Sequence, residues 1–247
     1  MGPRIAVGRK VFAPAWSLTV LTVLLLAAFV SLGRWQWGRA AHKEALAREF
    51  AAGSATVQPL GGRSTQVLAR YAQVSVQGEW DATRQFLLDN RIRDGQAGYE
   101  VLTPLRLADG RWLLVDRGWL PFGGYRDRLP EVAAGLPAGP VTVRGRIDAL
   151  PVAGIASGRA APALQGAWPR VTSFPQPTEL AAALGGVRLE PQVLLLDARE
   201  PAGYRRDWQP FVRGPEQNIS YAFQWWSFGV LLLVLFVGLN LKDKDDT

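Results

Sequence analysis

The sequence predicts a membrane protein in which two transmembrane α-helices flank a β-rich α+β extracytoplasmic domain. Three observations lead there. Residues 11–33 and 217–241 are uncharged apolar runs, bounded by Lys10 and Arg34 and by Glu216 and Lys242. Each slightly exceeds the ~20 residues that carry a helix across a ~30 Å hydrocarbon core. Between them lies a polar stretch of domain size, in which short β-branched and aromatic runs alternate with turn residues.

Taken in order, the tail at residues 1–10 carries Arg4, Arg9 and Lys10 and no acid, so the positive-inside bias places it in the cytoplasm. Residues 11–33 form the first span. Arg34, Arg39, Lys43 and Arg48 follow it and argue for the other orientation, but they open a loop too long for the rule to govern. Residues 34–218 are then the domain, with 34–52 a helical extension of the first span; residues 219–241 are the second span and 242–247 a cytoplasmic tail. A cleaved signal peptide is the alternative for the first span, with Ser31-Leu32-Gly33 as a small-x-small site. The apolar stretch is long for that role, and Arg34-Trp35-Gln36-Trp37 reads as an interfacial anchor.

Within the domain, residues 40–50 are good helix formers and Gly53-Ser54 stops them. Strands are expected at 72–76, 85–92, 99–107, 112–120, 141–147 and 192–197. Asp109-Gly110 reads as a two-residue hairpin turn in which both residues tolerate φ > 0, and Asp94-Gly95 as a second turn. Thr178 is placed to cap a short helix over 179–184, ended by Gly185-Gly186. Residues 153–165, rich in Ala, Gly and Pro, read as a surface loop.

Composition excludes more than it names. The net charge is +7, yet Lys and Arg are scattered among acids without a dense run, which points to membrane lipids or acidic partner surfaces and not to nucleic acid. With no cysteine there is no disulfide, thiolate metal site or thiol nucleophile. With His42 the single histidine, a multi-histidine metal site is impossible, and a Ser-His-Asp triad would have to be built on the helix leaving the membrane. No Gly-rich phosphate loop follows a strand. A membrane-anchored hydrolase using two carboxylates stays open, and a binding protein without turnover is the preferred class.

Four stretches carry a family pattern. Leu32-Gly33-Arg34-Trp35-Gln36-Trp37-Gly38-Arg39 closes the first span. Residues 98–105 read Gly-Tyr-Glu-Val-Leu-Thr-Pro-Leu, and residues 114–121 read Leu-Val-Asp-Arg-Gly-Trp-Leu-Pro. Tyr221-Ala222-Phe223-Gln224-Trp225-Trp226 opens the second span. In order and in topology they resemble the surfeit locus protein 1 family across nearly the whole chain. The resemblance implies an assembly factor for haem-copper cytochrome c oxidase in the bacterial inner membrane. It further implies that the protein binds haem a and presents it to the catalytic subunit of cytochrome c oxidase, with haem a synthase as a further partner. A haem-independent scaffold that stabilises an oxidase assembly intermediate is the alternative.

The chain departs from that family at one position. The family places a histidine, its proposed haem ligand, a few residues before the Tyr-Ala of the second span; here the stretch is Gln217-Asn218-Ile219-Ser220, so Asn218 stands there. Asparagine is a poor axial ligand, which leaves His42 and the tyrosines, Tyr221 nearest the membrane. Trp35, Arg39 and His42 fall at i, i+4 and i+7, on one face of a continuing helix. His42 would stand ~10 Å above Trp35.

Trp35, Trp37, Tyr221, Trp225 and Trp226 read as an aromatic belt at the membrane surface. A sharper reading has Trp35 with Trp225 or Trp226 lining a cleft between the spans for a flat macrocycle, Arg34 and Arg39 meeting its propionates. In Asp116-Arg117-Gly118-Trp119, Gly118 is expected to permit a bulge or a close backbone approach, Arg117 to pair with a buried acid and Trp119 to pack in the core. Gln224 is expected to face the first span or a partner helix.

Overall fold

The computed structural model describes residues 5–8, 10–53, 56–125, 128–152, 158–210 and 214–243. Arg4, Arg9, Ser54, residues 153–157 of the expected loop and the tail beyond Asp243 lie outside the described residues. In chain order the elements are β1 (Ile5–Val7), β2 (Lys10–Phe12), α1 (Trp16–Ala52), β3 (Gln58–Pro59), β4 (Gln73–Trp80), β5 (Phe86–Arg93), β6 (Gln96–Leu107), β7 (Trp112–Pro121), β8 (Pro140–Ala149), β9 (Arg170–Thr172), α2 (Pro177–Ala183), β10 (Leu189–Leu196), α3 (Pro215–Asn240) and β11 (Leu241–Asp243). They divide into two compact units, Met1–Arg48 with Pro210–Thr247, and Glu49–Gln209.

The first unit is a helix hairpin. α1 begins at Trp16 and not at residue 11, because Lys10–Phe12 is spent on a strand. Free of proline, it runs unbroken for 37 residues, so the first span and its extension are one helix. At 1.5 Å per residue it is about 55 Å long, well beyond the ~30 Å core. Gly53 ends it, donating its N–H to the Glu49 carbonyl at 2.9 Å. α3 likewise starts earlier than residue 219, on Gly214 as N-cap and Pro215 in the first turn, where a missing N–H costs nothing. In the most apolar stretch of each helix only 11% is buried, unlike the core helix of a soluble protein; length, composition and exposure together make these membrane spans.

Small residues set the seam between the two helices. A Cβ at Gly33 would collide with the Trp226 indole, and one at Gly229 would press on Leu26 at 3.3 Å. Ala40 and Ala222 are buried. Gly33 and Ala40 are seven residues apart, as are Ala222 and Gly229, the spacing that keeps one stripe of each helix on its partner. At the far end Phe12 meets Phe236 edge-on at 5.7 Å, and β2 pairs antiparallel with both β1 and β11. This three-stranded sheet replaces what the sequence presents as two plain tails.

The second unit is a barrel. Among its described residues eight strands hydrogen-bond in the order β3-β4-β8-β10-β7-β6-β5-β9, and a further β4–β6 pairing closes five of them into a ring. Numbered along the chain, those five run 1-2-3-5-4 and return to 1. Only the third and fifth, β7 and β10, are parallel. That is the connectivity of an OB-type Greek-key barrel. Alternation along the strands sorts the side chains. Val74, Val76, Leu105, Leu113, Val115, Ile147, Leu194 and Leu196 fill the interior. Leu102, Leu114, Val193 and Leu195 point outward and are roofed by Phe86, Leu180 and Leu184. The outer β6–β7 face, which such barrels use for oligonucleotides and oligosaccharides, is therefore occupied by the chain's own α2 and β5.

Local details depart from expectation in three places. The β6–β7 loop has three residues, not two: Leu107 donates to the Arg111 carbonyl at 2.8 Å and Gly110 to that of Leu107 at 3.0 Å. Gly110 alone takes positive φ there. Gln176, not Thr178, caps α2, and Glu179 accepts the Gln176 N–H at 2.9 Å. Among the described residues Arg117 pairs with no acid. It is 1% exposed. Its Nε donates to the Ala202 carbonyl at 2.6 Å and its Nη1 to the Val132 carbonyl at 2.7 Å and Gln85 Oε1 at 3.1 Å. The guanidinium also lies 5.1 Å from the Tyr204 ring, and burial pulls its pKa down. Loop carbonyls replace the carboxylate because Arg117 points to the side of β7 where residues 132 and 202 cross.

Gly118 has the expected close approach, at φ +108 with the Arg205 carbonyl 2.6 Å from where a Cβ would stand. Gly110, at φ +81, faces open space. Gly118→Ala is expected to destabilise the domain by about 2–4 kcal/mol through strain plus a clash, and Gly110→Ala by about 1 kcal/mol through strain alone. Denaturant unfolding of the two variants checks the difference.

Asp116 supplies a second prediction. Fully buried and near Glu100, its carboxyl is held well above the usual carboxylate range, first by burial and then by that neighbour, with Arg91 and Arg93 opposing. Its one described hydrogen bond accepts the Gly118 N–H at 2.9 Å. A raised folded-state pKa means the native chain binds this proton more tightly than the unfolded chain does. Stability from this group is therefore intact below the unfolded pKa of ~3.9 and declines as pH rises toward the folded value. Asp116→Asn keeps the acceptor and removes the titration. The variant's melting temperature should match wild type near pH 4 and exceed it increasingly toward pH 8; a constant difference across that range would contradict the assignment.

Candidate functional site

The residues singled out from sequence lie on α1 and α3 within the helix hairpin. α1 continues as helix through Ala52, so Trp35, Arg39 and His42 share one face, with the Arg39 guanidinium 6.0 Å from the Trp35 ring. Arg34, Trp35, Arg39 and His42 are all exposed. On α3, Tyr221 is exposed, Trp225 stacks on Phe29 with centroids 5.9 Å apart, and Trp226 tilts against Trp37 at 5.8 Å.

Asn218 has a partner that the sequence reading did not name. Its Nδ2 donates to Gln36 Oε1 at 2.6 Å, joining the first turn of α3 to α1, while its Oδ1 is buried without a partner. Two helical turns along α1, Lys43 Nζ reaches the Gly214 carbonyl at the start of α3, at 3.3 Å. Gln36 sits inside the Leu32–Arg39 motif. A polar residue on the helix face that also carries Gly33 and Ala40 was the available signal.

Among the described residues, the side chains expected to line a cleft between the spans do not converge on one. Trp226 fills the notch opposite Gly33, Trp35 stands 57% exposed on another face of α1, and Trp225 is taken up by Phe29. The possible ligands do not converge either. His42 lies six residues beyond Gln36 along α1, and Tyr221 three residues below Asn218 along the antiparallel α3. At 1.5 Å per residue they are about 13 Å apart along the helix axes. The amide at position 218, spent on Gln36, offers no strong donor to iron. This donor set does not fit a haem a held axially between the spans. Among the described residues no cluster of His, Asp or Glu is arranged to hold a metal ion.

Of the two orientations expected for Gln224, toward the first span or toward a partner helix, it does not take the first. It is exposed, two residues past buried Ala222, and so on the opposite side of α3 from the seam with α1.

In the barrel unit, a groove of 1030 Å³ follows the outer wall of β4 and β8 and is lined in part by Arg144, Arg146, Arg199 and Arg206. Arg206 is spent on four carbonyls, those of Asp197, Ala198, Glu200 and Tyr204. Arg146 donates to the Phe50 carbonyl at 2.5 Å and stacks on that ring. Arg144 and Arg199 are exposed. Asp197, Glu200 and Asp207 line the same groove, so this wall carries both signs of charge.

Comparison with known proteins gives one consistent result. The model of the SURF1 family matches residues 23–230. Similar curated proteins include an uncharacterised SURF1-like protein of Mycobacterium bovis and two of Mycobacterium tuberculosis, each 32% identical over 167 residues. Each alignment covers 66% of this chain and 57% of the relative.

Proposed function

The chain belongs to the SURF1 family, and from that premise we propose that it is a membrane-anchored assembly factor for haem-copper cytochrome c oxidase that works as a scaffold. It holds an intermediate of the catalytic subunit through its barrel and spans, and it turns over no substrate. In this reading the hairpin sits in the bacterial inner membrane with both termini cytoplasmic and the barrel periplasmic. The positive tail at Arg4, Arg9 and Lys10 supports that orientation.

The observation that carries the scaffold over the haem carrier is the closed seam of the hairpin. The hydrogen bond from the Asn218 amide to Gln36, with Trp226 seated on Gly33, occupies the space and the ligand position that carriage between the spans would need. The hydrolase alternative finds little support. Glu190 is buried and holds Ser64, Thr65 and Arg111. Asp81, Asp109 and Glu179 are each bound to an arginine. These carboxylates are positioned to hold structure. The neighbouring acids Asp116 and Glu100 are closed off between strands, Asp116 buried and Glu100 bound to Arg91 and Arg93, not set across an open cleft as general acid–base hydrolysis requires.

Purification of the full chain from membranes of cells that make haem a tests this. The protein should show no stoichiometric haem a spectrum, and it should restore oxidase assembly in a strain lacking its own factor. His42→Ala and Tyr221→Phe should restore assembly as well as wild type does. A stoichiometric haem a spectrum that shifts in either variant would overturn the scaffold and establish carriage.

A further inference from the structure

α3 carries a second contact surface, facing away from α1. Taking Ala222, buried in the seam, as the reference direction and 100° per residue, Ser220, Gln224, Ser227 and Leu231 all lie within about 40° of the opposite direction. All four are exposed. The other strongly exposed residues of this helix inside the apolar run, Phe223, Phe228, Val230, Leu233 and Val237 among them, are apolar. α3 spans about 39 Å against a ~30 Å core, so with Lys242 at one surface the hydrocarbon reaches to near Ala222. Gln224 then lies within it and Ser227 one turn deeper. Among the described residues nothing partners the Gln224 amide, and an amide facing lipid tails costs free energy that a partner helix recovers.

We propose that this stripe is the interface through which two copies of the chain pair in the membrane. Three features select a second copy as the occupant. Ser220, Gln224, Ser227, Leu231 and Val234 are spaced by alternating steps of four and three, the seam of a left-handed helix pair. Copies inserted in one membrane share their orientation, so their α3 helices run parallel, and a two-fold axis along the membrane normal sets each stripe residue against its own counterpart. A glutamine amide is both donor and acceptor, so Gln224 can bond reciprocally to Gln224 of the other copy. The Ser220 hydroxyl donates back to the Glu216 carbonyl at 3.0 Å, which leaves its oxygen free to accept. The pairing follows from α3 alone and stands apart from the scaffold reading.

The chain has no cysteine, so single cysteines report the interface directly in native membranes. Under mild oxidation Ser220→Cys, Ser227→Cys and Leu231→Cys should each form a disulfide-linked species of twice the 27.0 kDa chain mass. Val230→Cys and Val237→Cys, exposed but off the stripe, should stay monomeric. Adding Gln224→Leu to Ser227→Cys should lower the linked fraction roughly three- to tenfold, while Gln224→Asn retains part of it. Monomer at every stripe position, or equal linking on and off the stripe, would overturn the proposal. So would linkage of the stripe cysteines to a different polypeptide, which would make the occupant another protein's helix.

Discussion

Strand β6 hydrogen-bonds to three other strands, and the barrel depends on it. Its outer half pairs with β5, its length with β7, and its last residues with β4. The β4 pairing closes the ring. Where Glu100 and Leu102 of β6 face Trp119 and Asp116, β7 carries one extra residue, and this bulge bends β7. Closure leaves β7 between two cores, so Leu113 and Val115 serve the interior while Leu114 serves the outer layer. It also leaves no free edge on the ring, which suits a domain tethered beside a membrane among other folding chains. Asp116-Arg117-Gly118-Trp119 lies where β7 leaves the ring. There Arg117 gathers the loops at residues 132 and 202, and Gly118 admits the backbone at Arg205.

How much of this the sequence shows depends on the range of the interaction. The two spans, the long strands β6 and β7, and the Asp94-Gly95 turn are written locally: an apolar run, a β-branched run, and two residues at φ 48° and 77°. β9 is three residues long and includes Arg170 and Thr172. It has no period to detect, and it is a strand because β5 offers it a parallel edge. The terminal sheet of β1, β2 and β11 is likewise a backbone pairing between chain ends. For Arg117 the sequence suggests an acid, whereas its acceptors are carbonyls contributed by distant loops. Burial was legible in the motif and the partners were not.

The same distinction applies to the candidate site. Resemblance points to α1, α3 and the first turn of α3, because the aromatic and arginine motifs are local. It cannot show that Gln36, and not a ligand, meets Asn218. Nor can it show that Trp226 uses the absence of a side chain at Gly33 to close the hairpin. The Asn218 amide joins α3 to α1 through Gln36 and so serves helix packing. In the proposed scaffold the exposed surfaces are the ones available to a client: the Trp35–Arg39–His42 face of α1, the polar stripe of α3 and, in the other unit, the arginine-bearing wall of the barrel.

The central claim is that the protein holds its client without haem. The measurement that tests it most directly is co-isolation of the full chain with the oxidase catalytic subunit from two strains, one making haem a and one blocked in its synthesis. A scaffold should retain the catalytic subunit in both strains to a similar extent. Association only where haem a is made would contradict the account and assign the protein to haem delivery.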